Sequence, residues 1–259
     1  MTRGCHISIR DLTVTFRESP GQETISRLDC EIEAGQFLGL IGPSGCGKST
    51  LLRCIAGLQP AHAGAIQQQL PDQAEMVAPK LAYVFQSPTL LPWRSVIENI
   101  ALPLELAGIR RTERQAAAAA AMRTTGLRRE HDEAKLPRML SGGMQMRVSL
   151  ARAIVTQPDL MLLDEPFAAL DDISRKQLNT ELMELWRTAG WTGVFVTHNV
   201  AEAVFLCQRI VVMSRNPGRI AADIAIPLPY PRASETRLDP EYMRLVSQVA
   251  DALEQTMRE

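Results

Sequence analysis

A chain of 259 residues is long enough for one sizeable core, or a main domain with a smaller one inserted, and too short for a large multidomain assembly. Its 28 basic and 29 acidic residues nearly cancel, so the summed field gives no reason to expect a nucleic acid held by phosphate neutralisation. No apolar run approaches the ~18 residues of a membrane-spanning helix, the start "MTRGCHISIRDL" lacks a signal-peptide core, and the five cysteines (Cys5, Cys30, Cys46, Cys54, Cys207) show no CxxC spacing. These features point to a cytosolic chain with reduced, mostly structural thiols, one that lies against a membrane only through partners.

In chain order, "ISIRDLTVTF" and "TISRLDCEIEAGQF" alternate apolar and polar residues, as half-buried antiparallel strands do. "FLGLIG" is then a short apolar run, the pattern of a central parallel strand covered on both faces. It leads into "GPSGCGKST", which fits G-x-x-x-x-G-K-[ST] without a departure and opens the amphipathic "TLLRCIAGL". Gly42, Pro43, Ser44, Gly45, Cys46, Gly47, Lys48, Ser49 and Thr50 therefore read as a phosphate cradle. The glycines let backbone N–H groups turn inward, Lys48 reaches the terminal phosphates of ATP, and Ser49 offers a hydroxyl to Mg2+. With Cys46 inside the cradle, its alkylation is expected to block nucleotide binding.

A second apolar run, "LAYVF", is followed by Gln86. From there "LLPWRSVIENIALPLELAGI", "RRTERQAAAAAAMRTTGL" and "RREHDEAKLPRM" carry helix-favouring composition and no strand signal, which suggests a helical subdomain inserted over about 87–149. The alanine run 116–121 reads as tight helix packing. "LSGGMQMR" comes next, with no residue fit for acid–base, nucleophilic or metal chemistry. "LMLLDEPF" places Asp164 at a strand end to hold magnesium and Glu165 beside it to orient and deprotonate water. "GVFVTH" ends on His198, placed for a γ-phosphate contact. "RIVVMSRNPGRIAADIAIPLPYPR" reads as strand, turn, strand and a proline-rich connection, and Tyr242, Leu245, Val246, Val249 and Leu253 fall at helical spacing in the tail. Four apolar runs, each ending in a polar residue or glycine loop, would converge beyond the carboxyl edge of one parallel sheet.

Cradle, Asp-Glu, "LSGGM" and a later histidine, in that order, resemble the ATP-binding-cassette (ABC) transporter ATPases, over about Ile7 to Ile220. The resemblance implies an α/β fold: a P-loop NTPase core (RecA-like, about 36–86 and 150–225) with an N-terminal antiparallel β subdomain (about 5–40), an inserted α-helical subdomain and a C-terminal strand, linker and helix (about 226–259). It implies a homodimer with ATP at the interface, in which Ser141, Gly142 and Gly143 close over the ATP held by the other subunit. Phe16 resembles the aromatic that stacks on adenine, or is a packed strand residue. Gln86 is similar to the glutamine that touches magnesium, Asp171 to the aspartate that communicates across the dimer, and His198 to the switch histidine. Met146 stands where the family often has glutamine, and Asn199 where aspartate commonly follows that histidine.

Within the family, "LLPWRSVIENIALPL", "THNVAEAVFLCQRIVVMS" and "SRNPGRI" look like the branch serving nitrate, sulfonate, taurine and bicarbonate importers. That implies two transmembrane permease subunits, a solute-binding protein, and a place on the inner face of the cell membrane. Asn99, with Leu90, Leu91 and Trp93 as apolar anchors, is expected in the permease-facing surface, unless these residues pack internally. A soluble ABC ATPase acting on DNA or ribosomes, and the ATPase half of an exporter, are the alternatives.

Overall fold

The computed structural model describes residues 4–15, 23–71 and 78–258. In chain order, β1 (His6–Thr15), β2 (Glu23–Ile32), β3 (Phe37–Ile41), α1 (Lys48–Ile55), β4 (Ala63–Gln69) and β5 (Leu81–Val84) come first. A helical stretch follows, with α2 (Val96–Leu106), α3 (Arg111–Thr124), α4 (Arg129–Asp132), a 3-10 turn at Pro137–Met139 and α5 (Gly142–Ile154). Then come β6 (Leu160–Asp164), α6 (Asp172–Ala189), β7 (Thr192–Val196), α7 (Val200–Leu206), β8 (Arg209–Met213), β9 (Ile220–Ala225) and, after a second 3-10 turn, α8 (Pro240–Arg258).

Two sheets result. One is antiparallel, in the order β2-β1-β4, and the other runs β5-β6-β7-β3-β8-β9, parallel except for the last pair. The apolar runs of the parallel strands have no polar face because both faces are covered. Leu160 and Leu162 of β6 point to the antiparallel sheet and α1, whereas Met161 and Leu163 point to α5, α6 and α7. Close packing on the second face needs glycine in β7: a Cβ at Gly193 would lie 2.1 Å from the Phe37 ring, which stacks on Trp186 and meets Trp191 edge-on. A third cluster, built from α2, α3 and α5 around Ile100, Met122 and Val148, is the core of the helical subdomain.

Three expectations about boundaries need correction. β4, absent from the sequence reading, extends the N-terminal sheet, because "AGAIQQQ" has too few apolar residues to alternate and its side chains are mostly exposed. The division at 149/150 falls inside α5, which runs unbroken and sends Val148 and Ala151 into the helical cluster and Met146 and Leu150 into the main core. No strand occurs after Ala225 among the described residues, since Pro227, Pro229 and Pro231 remove the donors a ladder needs.

The C-terminal segment is fastened by one buried cation. Arg232 is 1% exposed; its guanidinium donates to the carbonyls of Val204, Phe205 and Cys207 at 2.8, 3.1 and 2.9 Å and of Leu228 at 2.9 Å, and covers the Tyr230 ring. The first three are free carbonyls at the end of α7, so the arginine caps that helix in place of solvent, and the fourth ties it to the proline-rich connection. Tyr242 of α8 adds a hydrogen bond to the carbonyl of Ala201 at 2.7 Å. Arg232→Ala strands several buried carbonyls and leaves a void, and is expected to cost roughly 3 kcal/mol or more in urea unfolding.

Candidate nucleotide-binding and hydrolytic site

Strand order builds the site. Because β6, β7 and β3 are neighbours, the ends of three strands far apart in sequence stand side by side: Asp164 with Glu165, His198, and the glycine loop. Between them lies a cleft of about 510 Å3, lined among the described residues by Thr24, Gly42, Ser44, Gly45, Gly47, Lys48, Ser49, Thr50, Glu165 and His198. Phe16 lies outside the described residues.

Gly47 precedes α1 with φ 100°, a left-handed conformation that a β-carbon disfavours, and a Cβ there would lie 3.0 Å from Ile25. The turn leaves the first N–H groups of α1 facing the cleft, where the helix dipole favours an anion. Lys48 is 7% exposed and donates to the carbonyls of Gly42 and Pro43 at 2.8 and 3.0 Å. Its ammonium is thus held inside the loop rather than in solvent. Cys46 belongs to the loop but not to the cleft. Its thiol is fully buried in the core beneath α1, and burial pushes its pKa up despite nearby Lys48. The expectation that alkylating Cys46 blocks nucleotide binding presupposes an accessible thiolate, which this geometry does not offer.

Both oxygens of Asp164 are occupied: Ser49 Oγ donates to Oδ1 at 2.8 Å and the Tyr83 hydroxyl to Oδ2 at 3.0 Å. Burial first, and the Asp164 carboxylate second, push Tyr83 far above its ordinary pKa, so it remains a donor. Glu165 has φ 47°, left-handed for a non-glycine residue, with its N–H bonded to the Val196 carbonyl at 3.0 Å. Strain of this kind, about 1–3 kcal/mol, persists where the surroundings over-determine it. Here it turns the carboxylate to His198, whose Nδ1 lies 3.0 Å from Oε2. With Glu165 as carboxylate, Nδ1 is the donor and Nε2 is left for another group.

Other candidates stand apart. Gln86 is exposed in the loop after β5 and does not line the cleft. Ser141 caps α5 by accepting the N–H of Met144 at 3.3 Å. Gly142 and Gly143 neighbour Leu170 and Ser174, at the start of α6. Asp171 caps α6 by accepting the N–H of Ser174 at 2.9 Å, which lowers its pKa. None of these lines the cleft of its own chain. Asn199 caps α7 through Oδ1 at 3.1 Å, a task its amide oxygen performs as an aspartate would, and Met146 is buried in the core.

Asn99 is not a surface residue. It is fully buried; Oδ1 accepts the N–H of Leu91 at 2.8 Å and Nδ2 donates to the carbonyls of Leu91, Arg94 and Ser95 at 3.2, 3.0 and 3.0 Å. It fixes the 91–95 turn from inside. That turn leaves Trp93 72% exposed, while Arg94 is anchored on Glu105. Sequence reasoning missed Tyr83, Thr24 and this role of Asn99. For Tyr83 a signal existed, since it is the only hydroxyl in an otherwise apolar strand.

Comparison with known proteins agrees with this geometry. A family model described as ABC transporter matches residues 25–168. The taurine import ATP-binding protein of Rhizobium johnstonii is 40% identical over 229 residues, 88% of this chain and 80% of that protein. The aliphatic sulfonates import ATP-binding protein of Xanthomonas axonopodis pv. citri is 42% identical over 233 residues, 90% of this chain and 75% of that protein. The dimeric post-hydrolysis structure of an ATP-binding cassette bound to ADP and phosphate superposes with a TM-score of 0.74 at 27% identity, over 86% of this chain and 99% of that one. With the family match spanning more than half the chain, and a phosphate loop facing a strand-end carboxylate and histidine, the chain belongs to the ABC transporter family as an ATP-binding, ATP-hydrolysing subunit.

Proposed function

We propose that this chain energises the import of a small anion of the sulfonate, taurine, nitrate or bicarbonate type, working as a homodimer beneath two permease subunits supplied by a solute-binding protein. Hydrolysis rests on one observation, the Glu165–His198 pair at 3.0 Å facing the phosphate loop across the cleft. The direction and class of solute are supported by the importer ATPases that the chain resembles at 40% and 42% identity. No described helix is long and apolar enough to cross a membrane, so in this reading membrane contact comes through the permease.

The loop amides and Lys48 bind the phosphates, Lys48 exchanging carbonyl partners inside the loop for phosphate oxygens. The hydroxyl of Ser49 and the carboxylate of Asp164, 2.8 Å apart, are hard oxygen donors of the kind magnesium takes, and they would hold it, Tyr83 fixing the second carboxylate oxygen. Held there, Mg2+ would supply positive charge to offset that of the phosphates. Gln86 joins that set only if the loop after β5 moves inward. Glu165 accepts a proton from water as its oxygen attacks the γ-phosphorus and ADP leaves. His198, oriented by Glu165, contacts the γ-phosphate. Ser141, Gly142 and Gly143 stand at a helix N-terminus away from their own cleft, so they serve the ATP of a second subunit, with Asp171 beside them. Trp93 and partly buried Leu90 and Leu91 are the permease-facing surface, and Asn99 its internal brace.

The direct test is the ATPase rate with permease and solute-binding protein across taurine, alkanesulfonates, nitrate and bicarbonate: one of these anions is expected to stimulate turnover. Recovery with ribosomes or DNA in place of the membrane fraction would favour the soluble alternative, and stimulation without a binding protein the exporter. Glu165→Gln is expected to lower turnover by at least ~100-fold while ATP still binds and the closed dimer accumulates on gel filtration. Trp93→Ala is expected to weaken permease association roughly 10- to 100-fold, read as loss of permease-dependent stimulation relative to the subunit's own rate.

A further inference from the structure

His198 is held by its two chain neighbours, and both are tied to Glu202, Thr197 through the buried carboxyl group and Asn199 through the backbone N–H. Thr197 Oγ1 donates to Glu202 Oε2, the N–H of Asn199 donates to Thr197 Oγ1 at 3.0 Å, and Asn199 Oδ1 accepts the N–H of Glu202 at 3.1 Å. Thr197 and Glu202 are 3% and 4% exposed. The closed ring of bonds brackets His198 at residues 197 and 199 and leaves the imidazole free to reach Glu165. We propose that Glu202 is the positioning residue of the switch histidine, acting on hydrolysis only through His198.

A carboxyl group buried in the seven-residue helix α7 is costly unless it is hydrogen-bonded, and Thr197, next to His198, supplies that bond. Glu202 does not line the cleft, so direct contact with ATP does not explain it. Its placement also links two elements of the site. Glu202 Oε1 and Asn179 Oδ1 of α6 are both buried without a hydrogen-bond partner; the Asn179 side chain neighbours the carboxyl group, and Arg175 of the same helix acts on it through its charge. A proton on Glu202, favoured by its burial, or a half-turn of the Asn179 amide would supply the missing donor. Arg175 in turn donates to the carbonyls of Leu170 at 2.6 Å and Phe167 at 3.3 Å, holding the loop that carries Asp171. The bracket around His198 therefore rests on the same helix that fixes the Asp171 loop.

The proposal rests on the reading of His198 as a hydrolytic residue, and a double-mutant cycle separates the two. ATP turnover, KM, ATP binding and melting temperature are measured for Glu202→Ala, His198→Ala, the double variant and Glu202→Gln. Glu202→Ala is expected to lower kcat about tenfold or more with KM for ATP unchanged, and to add nothing in the His198→Ala background. Glu202→Gln keeps an acceptor for Thr197 and gains a donor for Asn179, so its kcat should stay within about twofold of the parent. Where Glu202→Ala does not fold, Thr197→Val opens the same ring at nearly constant volume and enters the same cycle. An equal loss from Glu202→Ala with and without His198, or no loss at all, overturns the positioning role. Wild-type turnover by His198→Ala overturns the role of the histidine itself.

Discussion

Backbone hydrogen bonds between β3 and its neighbour β7, and between β7 and β6, hold the phosphate loop, the histidine and the two carboxylates in place. The phosphate loop leaves β3, the histidine leaves β7, and the two carboxylates close β6. None of these side chains has to find another by its own flexibility. The ladder registers Leu40 against Val196 and Val196 against Asp164, so a slip by one residue would turn Asp164 into the core and break the Ser49 contact. That register is secured by packing. The strands are buried on both faces, and each buried leucine or phenylalanine contributes about 1.5–3 kcal/mol, far more than an exposed ion pair.

Polar groups inside this packing act as fasteners. Arg232 closes the end of α7, Asn99 fixes the turn that presents Trp93, and Glu202 closes the ring around His198. All three satisfy backbone groups or short side chains that would otherwise be buried without partners, each bond contributing about 1 kcal/mol net. Their common effect is geometric: each sets the direction of a residue next to it in sequence or space. The helix α7, clamped at its start by Asn199 and Glu202 and at its end by Arg232, is thereby attached both to His198 and to the C-terminal helix.

The residues we propose to act on ATP divide between the cleft and a second locus at the start of α5 and α6. Within one chain these loci do not meet, and this separation is what a site completed by a second subunit requires. The glycines of the α5 N-terminus keep that locus low, with only Leu170 and Ser174 near their missing β-carbons. A bound phosphate could therefore approach the helix end closely.

Local chemistry was legible in the residues themselves. Phosphate-loop spacing, uninterrupted apolar strands and a carboxylate pair at a strand end state their own purpose, because each depends on contacts within a few residues, and their order carried the family resemblance. What the sequence could not decide depends on side chains meeting across long separations. Tyr83 reaches Asp164, buried Cys46 leaves the cleft, Asn99 turns inward and Glu202 faces Asn179, all through strand order and helix packing that no local pattern encodes. β4 escaped notice for a related reason: an edge strand with exposed side chains needs only backbone pairing, which leaves no hydrophobic period. Sequence alone determined which chemical groups the protein possesses; tertiary structure decided which way each one faces, since direction is set by neighbours supplied from elsewhere in the chain.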